Sequence, residues 1–405
     1  MRPLVAEIRL QSLRHNYRLL RHNVQRSAGS DADIVAVIKA DAYGHGLALC
    51  GRALVEEGAA WLGVTCAEEA IALSTAHKSM RPTTAQPPAI LVMSGFFPGE
   101  EGLILRHRFV PQVWESWHLG MLDAAARREG LPAGTVPVHL EIDTGMSRQG
   151  VAPGEMLSLL LRSAGPGEPD SPLRIDGVMT HFSSPEEPAN GVMQAQMRAF
   201  AAALDQLRAH GIRPAWIHAG NSVNAGFGSA IPELAALARA ARAQLLVRPG
   251  IALYGCGLPL LATTGVTDRI PAQLEPVLAW KTRITDLRDI GPGAGIGYNE
   301  TFRAKGAMRL ALLPAGYADG YDRAFSNRAS VLVRGRRAPV VGRVSMDQTI
   351  VDVSAIPDAA LGDEVVLLGA QGTDRISAEE LAALTATIPY EVLCRIAARV
   401  PRVPV

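Results

Sequence analysis

Cysteine, lysine, net charge and long apolar runs are all scarce in this 405-residue chain, and each shortage removes a class of function. Lys+Arg at 40 against Asp+Glu at 39 leaves a formal charge of +1. No basic cluster of the kind that binds nucleic acid or an anionic membrane surface is present, so small neutral or zwitterionic partners fit better. The four cysteines, Cys50, Cys66, Cys256 and Cys394, are scattered and form no CxxC or Cys/His group, which argues against a disulfide framework and a zinc or other metal site. No run reaches membrane-spanning length, and the N-terminal MRPLVAEIRLQSLRHNYRLL carries charges throughout, unlike a signal peptide. A cytoplasmic location is expected. Lysine occurs only at Lys39, Lys78, Lys281 and Lys305, so chemistry that needs an amine has four candidates.

The length exceeds one usual compact core, so two domains are expected. From residue 34 to 250 one unit recurs: a short apolar run, a polar or Gly-containing turn, and a stretch of helical periodicity. The runs are IVAVI from Ile34, WLGVT from Trp61, AILVM from Ala89, FVPQV from Phe109, PVHLEID from Pro137, IDGVMTH from Ile175, AWIHAG from Ala215 and LLVRPG from Leu245. Eight β-α units predict a (β/α)8 barrel of the TIM type, over residues 11–257. After the linker LPLLATTGVTDRIPAQLEP the pattern alternates, as in LAWKTRITDLRDI and ASVLVRGRRAPVVGRVSMDQTIVDVS. Residues 270–405 are therefore expected to form a mainly β domain, with the alternating VAEIRL at residues 1–10 as a candidate extra strand.

Barrel chemistry sits where strands end. Lys39 closes the first run, where partial burial would ready its amine for a Schiff base; the alternative is a solvated strand-end lysine. Lys78 reads as a loop residue, Lys305 as a turn and Lys281 as part of a strand. The loops after strands seven and eight, from Gly220 through Asn221 and Ser222, and from Arg248 through Gly250 and Ile251, suit a phosphate; either alone could be an ordinary Gly-rich turn. Together with a lysine at the barrel mouth they point to a phosphate-bearing aldehyde cofactor. Arg248 can only donate hydrogen bonds, so opposite a pyridine nitrogen it would keep that nitrogen unprotonated. His181 reads as a supporting residue, and the segment from Glu141 to Arg148 is polar in a way that a packed barrel does not require. The glycines of residues 291–297 resemble a nucleotide loop only superficially, since no βα turn with a downstream acid follows.

These residues resemble alanine racemase along the whole chain. The segments VIKADAYGHG, EIDTGMSRQG, THF, HAGNSVNAG, VRPGIALYG, GYNETF, PAGYADGY, GRVSMDQ and IPYEVLC occur in that family's order. The resemblance implies that Lys39 holds pyridoxal 5'-phosphate and removes the Cα proton of D-alanine, while Tyr298 serves L-alanine from the partner subunit of a homodimer with shared active sites. It assigns Tyr43, Ser222, Gly250, Ile251 and Tyr390 to the phosphate and Arg248, supported by His181, to the ring nitrogen. Arg148 and the backbone of Met346 correspond to the substrate-carboxylate contacts, with Asn221 and Tyr317 in supporting positions. The product, D-alanine, would serve peptidoglycan synthesis or enter catabolism. Two departures stand out: Ser345 occupies a usual cysteine position, and Glu141 replaces a lysine that many members carbamylate, which suggests that Glu141 itself holds Arg148, through a water or a shifted arginine where its reach falls short. The alternative is that it satisfies a neighbouring polar group in the barrel. Competing readings are a racemase of broader specificity, a non-catalytic pyridoxal-phosphate-binding barrel and a barrel decarboxylase. The second domain and Arg248 count against the last two.

Overall fold

The computed structural model describes residues 2–78, 87–162, 170–257, 259–262, 265–269 and 273–405. The chain divides into two compact units: one of Leu13–Ala42 and Cys50–Glu275, the other of Met1–Ser12, Tyr43–Leu49 and Pro276–Val405.

In the first unit, β2 (Ala32–Val37), β3 (Trp61–Val64), β4 (Ala89–Val92), β5 (Val110–Val113), β6 (Val136–Glu141), β7 (Leu173–Met179), β8 (Trp216–His218) and β9 (Gln244–Val247) close into a barrel; β1 is the N-terminal strand Val5–Ile8. All eight pairings are parallel, and Ala32 opposite Leu245 seals the ring. All eight expected runs are therefore barrel strands. Their β-branched, nearly uninterrupted apolar character suits strands covered on both faces. Val35, Trp61, Leu91, Val110 and Leu246 form one buried cluster, each contributing roughly 1.5–3 kcal/mol by leaving water. Helices return the chain between strands; the helix Val192–Ala209 buries Met193, Phe200, Leu204 and Leu207, a spacing that lines one helical face.

Two expectations need correction. Lys78 ends the helix Ala67–Lys78 instead of lying in a loop, because the Ala- and Glu-rich stretch before it favours helix through that residue. The segment read as a linker contains an antiparallel strand pair, Pro259–Ala262 with Gly265–Arg269, built from short apolar and β-branched stretches.

In the second unit the main sheet runs in the order Arg336–Pro339, Ser330–Val333, Glu364–Gln371, Leu278–Arg283, Val5–Ile8 and Arg402–Pro404, with Asp374–Ile376 added to Glu364–Gln371. The N-terminal strand is thus an internal member of this sheet. Lys281 ties three of its strands through ion pairs to Glu7 at 2.9 Å and Glu364 at 3.2 Å. A second sheet joins Asp286–Ile290, Met308–Leu313 and Thr349–Asp352.

Candidate active site

Lys39 opens a single helical turn, Lys39–Gly44, at the end of β2. Ala40, Asp41, Ala42 and Tyr43 have φ of 53°, 53°, 55° and 53°, so this turn is left-handed. Such a conformation costs about 1–2 kcal/mol per residue for side chains with a Cβ, and persists only where its surroundings enforce it. Glu69 supplies part of that enforcement, accepting from the Ala40 amide at 2.7 Å and the Thr65 amide at 2.8 Å. Lys39 is half-buried. Tyr43, buried, faces Tyr390 with ring centroids 5.9 Å apart, and burial pushes its hydroxyl pKa well up.

Arg248 follows β9 and is 5% exposed. Nη1 donates to His218 Nδ1 at 3.1 Å, and Nη2 donates to the Thr180 carbonyl at 2.7 Å and to His181 Nδ1 at 3.0 Å. Its hydrogen-bond acceptors are therefore neutral; burial lowers its pKa to about 10, with Glu141 opposing and Arg148 reinforcing the shift. Burial, then the charges of Arg248, Arg148 and Lys39, depress His181 to about 3. Lys39, Arg148 and Arg248 thus bear together on one neutral imidazole.

The two Gly-containing loops meet through Ser222. Its hydroxyl accepts from the Gly250 amide at 2.9 Å and the Ala252 amide at 3.2 Å. Asn221 caps the helix Ser222–Phe227, its side chain accepting from the Val223 amide at 2.9 Å. Ser222 and Ile251 begin their helices, so their amides have no intrahelical acceptor. Both residues are buried.

Beyond β6, Asp143 Oδ1 accepts from the amides of Gly145, Met146 and Ser147 at 2.9, 2.9 and 3.1 Å, which fixes the turn leading to Arg148. Burial alone would raise the Asp143 pKa, but these amides hold it below the usual carboxylate range. Arg148 itself is exposed. Glu141 is buried and accepts from Gln149 Nε2 at 2.6 Å, while the same amide nitrogen reaches the Met93 carbonyl at 3.0 Å. A direct Glu141–Arg148 pair is not formed; a glutamate is much shorter than a carbamylated lysine, and the neighbouring amide takes its oxygen. Burial raises the Glu141 pKa, against the bond from Gln149 and the charges of Arg248 and Arg148.

On the second unit, Tyr298 begins a 3-10 turn in which Asn299 and Glu300 have φ of 59° and 47°. Tyr317 and Met346 are neighbours: the Tyr317 amide donates to the Ser345 carbonyl and the Ala318 amide to the Met346 carbonyl, each at 3.0 Å. Asp319 anchors that turn, accepting from the Gly316 amide at 3.0 Å and pairing with Arg2 and Arg399. Arg399 also pairs with Asp347.

A family model for the N-terminal domain of alanine racemase matches residues 8–257, and one for its C-terminal domain matches 277–404. The chain belongs to the alanine racemase family. An alanine racemase of Sorangium cellulosum is 40% identical, covering 99% of both chains. The crystal structure of the enzyme from Streptomyces lavendulae has a TM-score of 0.84 at 33% identity, covering 100% of this chain and 97% of that one. Another, from Bartonella henselae with covalently bound pyridoxal phosphate, has a TM-score of 0.81 at 26% identity, with both chains covered completely. As a member of this family the protein is a pyridoxal-phosphate-dependent isomerase that interconverts L- and D-alanine.

Sequence reasoning overlooked His139, His218 and Gln149. Two of the three had a signal: His139 lies two residues before Glu141 on a strand and so shares its face, and His218 closes β8 as Lys39 follows β2.

Proposed function

We propose that this alanine racemase works through Lys39 and Tyr298 as paired bases, with the barrel residues holding the cofactor. The donor set fits pyridoxal phosphate. The Ser222 and Ile251 amides, with the Ser222 hydroxyl and Gly250, offer a dianionic phosphate the donors it needs, and in this reading Tyr43 and Tyr390 add their hydroxyls. Arg248 suits the pyridine nitrogen, since its Nη bonds go to His218, Thr180 and His181 and its Nε–H has no acceptor among the described residues. A guanidinium gives up no proton here, so Arg248 would leave that nitrogen unprotonated. When bound, the cofactor accepts the electron pair left as Cα loses its proton.

Lys39 Nζ takes the Cα proton of D-alanine, and Tyr298 of the partner subunit delivers a different proton to the opposite face; the reverse order serves L-alanine. Arg148 and the Met346 backbone bind the substrate carboxylate, with Asn221 and Tyr317 in support. Glu141 acts on Arg148 through its charge and through Gln149. The homodimer with shared sites is supported by the exposure of Tyr298. A cytoplasmic setting accords with the cysteine pattern, and no helix among the described residues is long and apolar enough to cross a membrane.

The observation that carries this reading is Arg248, buried just after the last barrel strand with its Nη groups committed to His218, the Thr180 carbonyl and His181. Borohydride reduction of the holoenzyme followed by peptide mass analysis should place the cofactor on Lys39. Labelling of another lysine would refute the assignment.

A further inference from the structure

Inside the barrel, Arg248 heads a line of side chains whose protons can have only one order. Its Nη1 donates to His218 Nδ1 at 3.1 Å, and His218 Nε2 lies 3.0 Å from His139 Nδ1. A guanidinium has no lone pair to offer, so His218 Nδ1 must be the acceptor. Burial and the Arg248 charge keep both imidazoles neutral, with His139 depressed to about 3 and His218 well below its ordinary value. A neutral ring with a lone pair at Nδ1 carries its proton on Nε2. His218 Nε2–H therefore donates to His139 Nδ1, and His139 in turn carries its proton on Nε2.

That last donor is fully enclosed and has no acceptor among the described residues. On the adjacent strand its register partner is Gln112, also fully buried, whose Oε1 and Nε2 both lack partners. Strand alternation sends both side chains into the barrel: Val110, two residues before Gln112, packs with Trp61, and the Trp61 ring lies 5.3 Å from that of His139. Gly177 leaves room for the histidine, since a Cβ there would come within 2.5 Å of its ring. Three buried polar atoms without partners at one level of a barrel are unusual, because native interiors satisfy nearly all such groups. A water molecule supplies both the missing acceptor and the missing donor.

We propose that one enclosed water joins His139 Nε2–H to Gln112 Oε1, and that Gln112 and His139 are positioning residues that hold the His218 ring, and through it the Arg248 guanidinium, in place. Its catalytic consequence rests on the reading of Arg248 as partner of the ring nitrogen. Without that water the His139 Nε2–H has no acceptor. Its proton cannot escape to Nδ1, because there it would oppose His218 Nε2–H and drive the His218 proton to Nδ1, against Arg248; the rings must shift instead, and Arg248 loses its fixed support.

The test combines a high-resolution crystal structure of the holoenzyme with 15N NMR of its histidine rings. Expected are an ordered water within hydrogen-bond distance of His139 Nε2 and Gln112 Oε1, and Nε2–H tautomers for His139 and His218. Gln112→Met should lose the water, leave His139 and His218 in their Nε2–H forms with the His139 N–H orphaned, and lower kcat/KM about tenfold, the scale of one orphaned buried donor. Gln112→Glu, which keeps an acceptor oxygen, should restore the water and most of the activity. A direct Gln112–His139 bond without water, Nδ1–H forms in the unaltered protein, or a retained water in Gln112→Met would each overturn the proposal. Should the water be lost while kcat/KM and the cofactor absorbance stay fixed, the positioning role falls together with the reading of Arg248, and the water site alone stands.

Discussion

The barrel and the second domain treat their candidate site residues in opposite ways. Arg248, Ser222 and Ile251 are 5%, 2% and 1% exposed and are fixed by hydrogen bonds or packing within the barrel, whereas Tyr298, Met346 and Tyr317 are 69%, 54% and 42% exposed. The barrel residues have their orientation set by neighbours in the same unit. Those of the second domain are aimed by rigid turns, such as the left-handed Asn299 and Glu300 beside Tyr298, while their side chains stay in solvent. Exposed aromatic side chains on rigid backbone are ready to be covered by another surface. The contrast matches the proposed division of labour, in which one chain carries a finished cofactor half and a proton-donor half that a partner completes.

The largest effect should come from the finished half. Lys39→Ala is expected to bring racemisation down to background and to abolish the covalent cofactor label, checked by reduction and mass analysis. Transfer of the label to Lys78, Lys281 or Lys305 would break the comparison by moving the amine chemistry elsewhere. Next comes Tyr298→Phe, for which cofactor content should be unchanged and turnover should fall about 10²–10⁴-fold, the usual worth of a positioned acid or base. Deuterium exchange at Cα should be lost chiefly from L-alanine; equal, slight losses for both enantiomers would remove Tyr298 from the reaction.

Acid should separate the halves more gently. His139 and His181 take up protons near 6.5 when unfolded but only near 3 when folded, chiefly because of burial. Their depressed values mean that the folded barrel binds fewer protons than the unfolded chain in this window, so stability is complete above about 6.5 and declines as pH falls towards 3. Burial raises the Glu141 pKa and gives a smaller trend of opposite sign. In the second domain, burial would raise Asp319, but Arg399 and Arg2 hold it below the usual carboxylate range. Hydrogen exchange between pH 7 and 5 should therefore show barrel amides losing protection while those around Asp319 keep it. Equal losses in both units would contradict the assignment of neutral, buried histidines. The smallest effect is expected of Glu141→Gln: a rise in the KM for alanine of roughly fivefold at most, on the scale of one hydrogen bond, with the cofactor label intact. An unchanged KM would show that Arg148 does not need the glutamate charge.

Most of the barrel was legible because fully covered parallel strands announce themselves as short apolar runs separated by turns, and even the runs from Ala89 and Phe109 held despite the Pro and Gly around them. The motifs pointed to Lys39, Arg248 and the Ser222 loop as candidates because an amine, a guanidinium and Gly-containing loops gather where barrel strands end. What could not be read was pairing across the barrel. His139 and His218 are 79 residues apart, and no local pattern reveals that their nitrogens meet. Glu141 taking Gln149 in place of Arg148 is likewise a matter of side-chain reach. The left-handed turn after Lys39 escaped notice because Ala, Asp and Tyr have no preference for that conformation; it is imposed by surroundings that include Glu69.

The claim that the second domain's half-site is completed across a homodimer is tested most directly by mixing inactive Lys39→Ala and Tyr298→Phe subunits. In a mixed dimer one site would unite the intact lysine with the intact tyrosine, so random exchange should restore about a quarter of the unaltered activity. No recovery, with subunit exchange demonstrated by mass, would contradict the account.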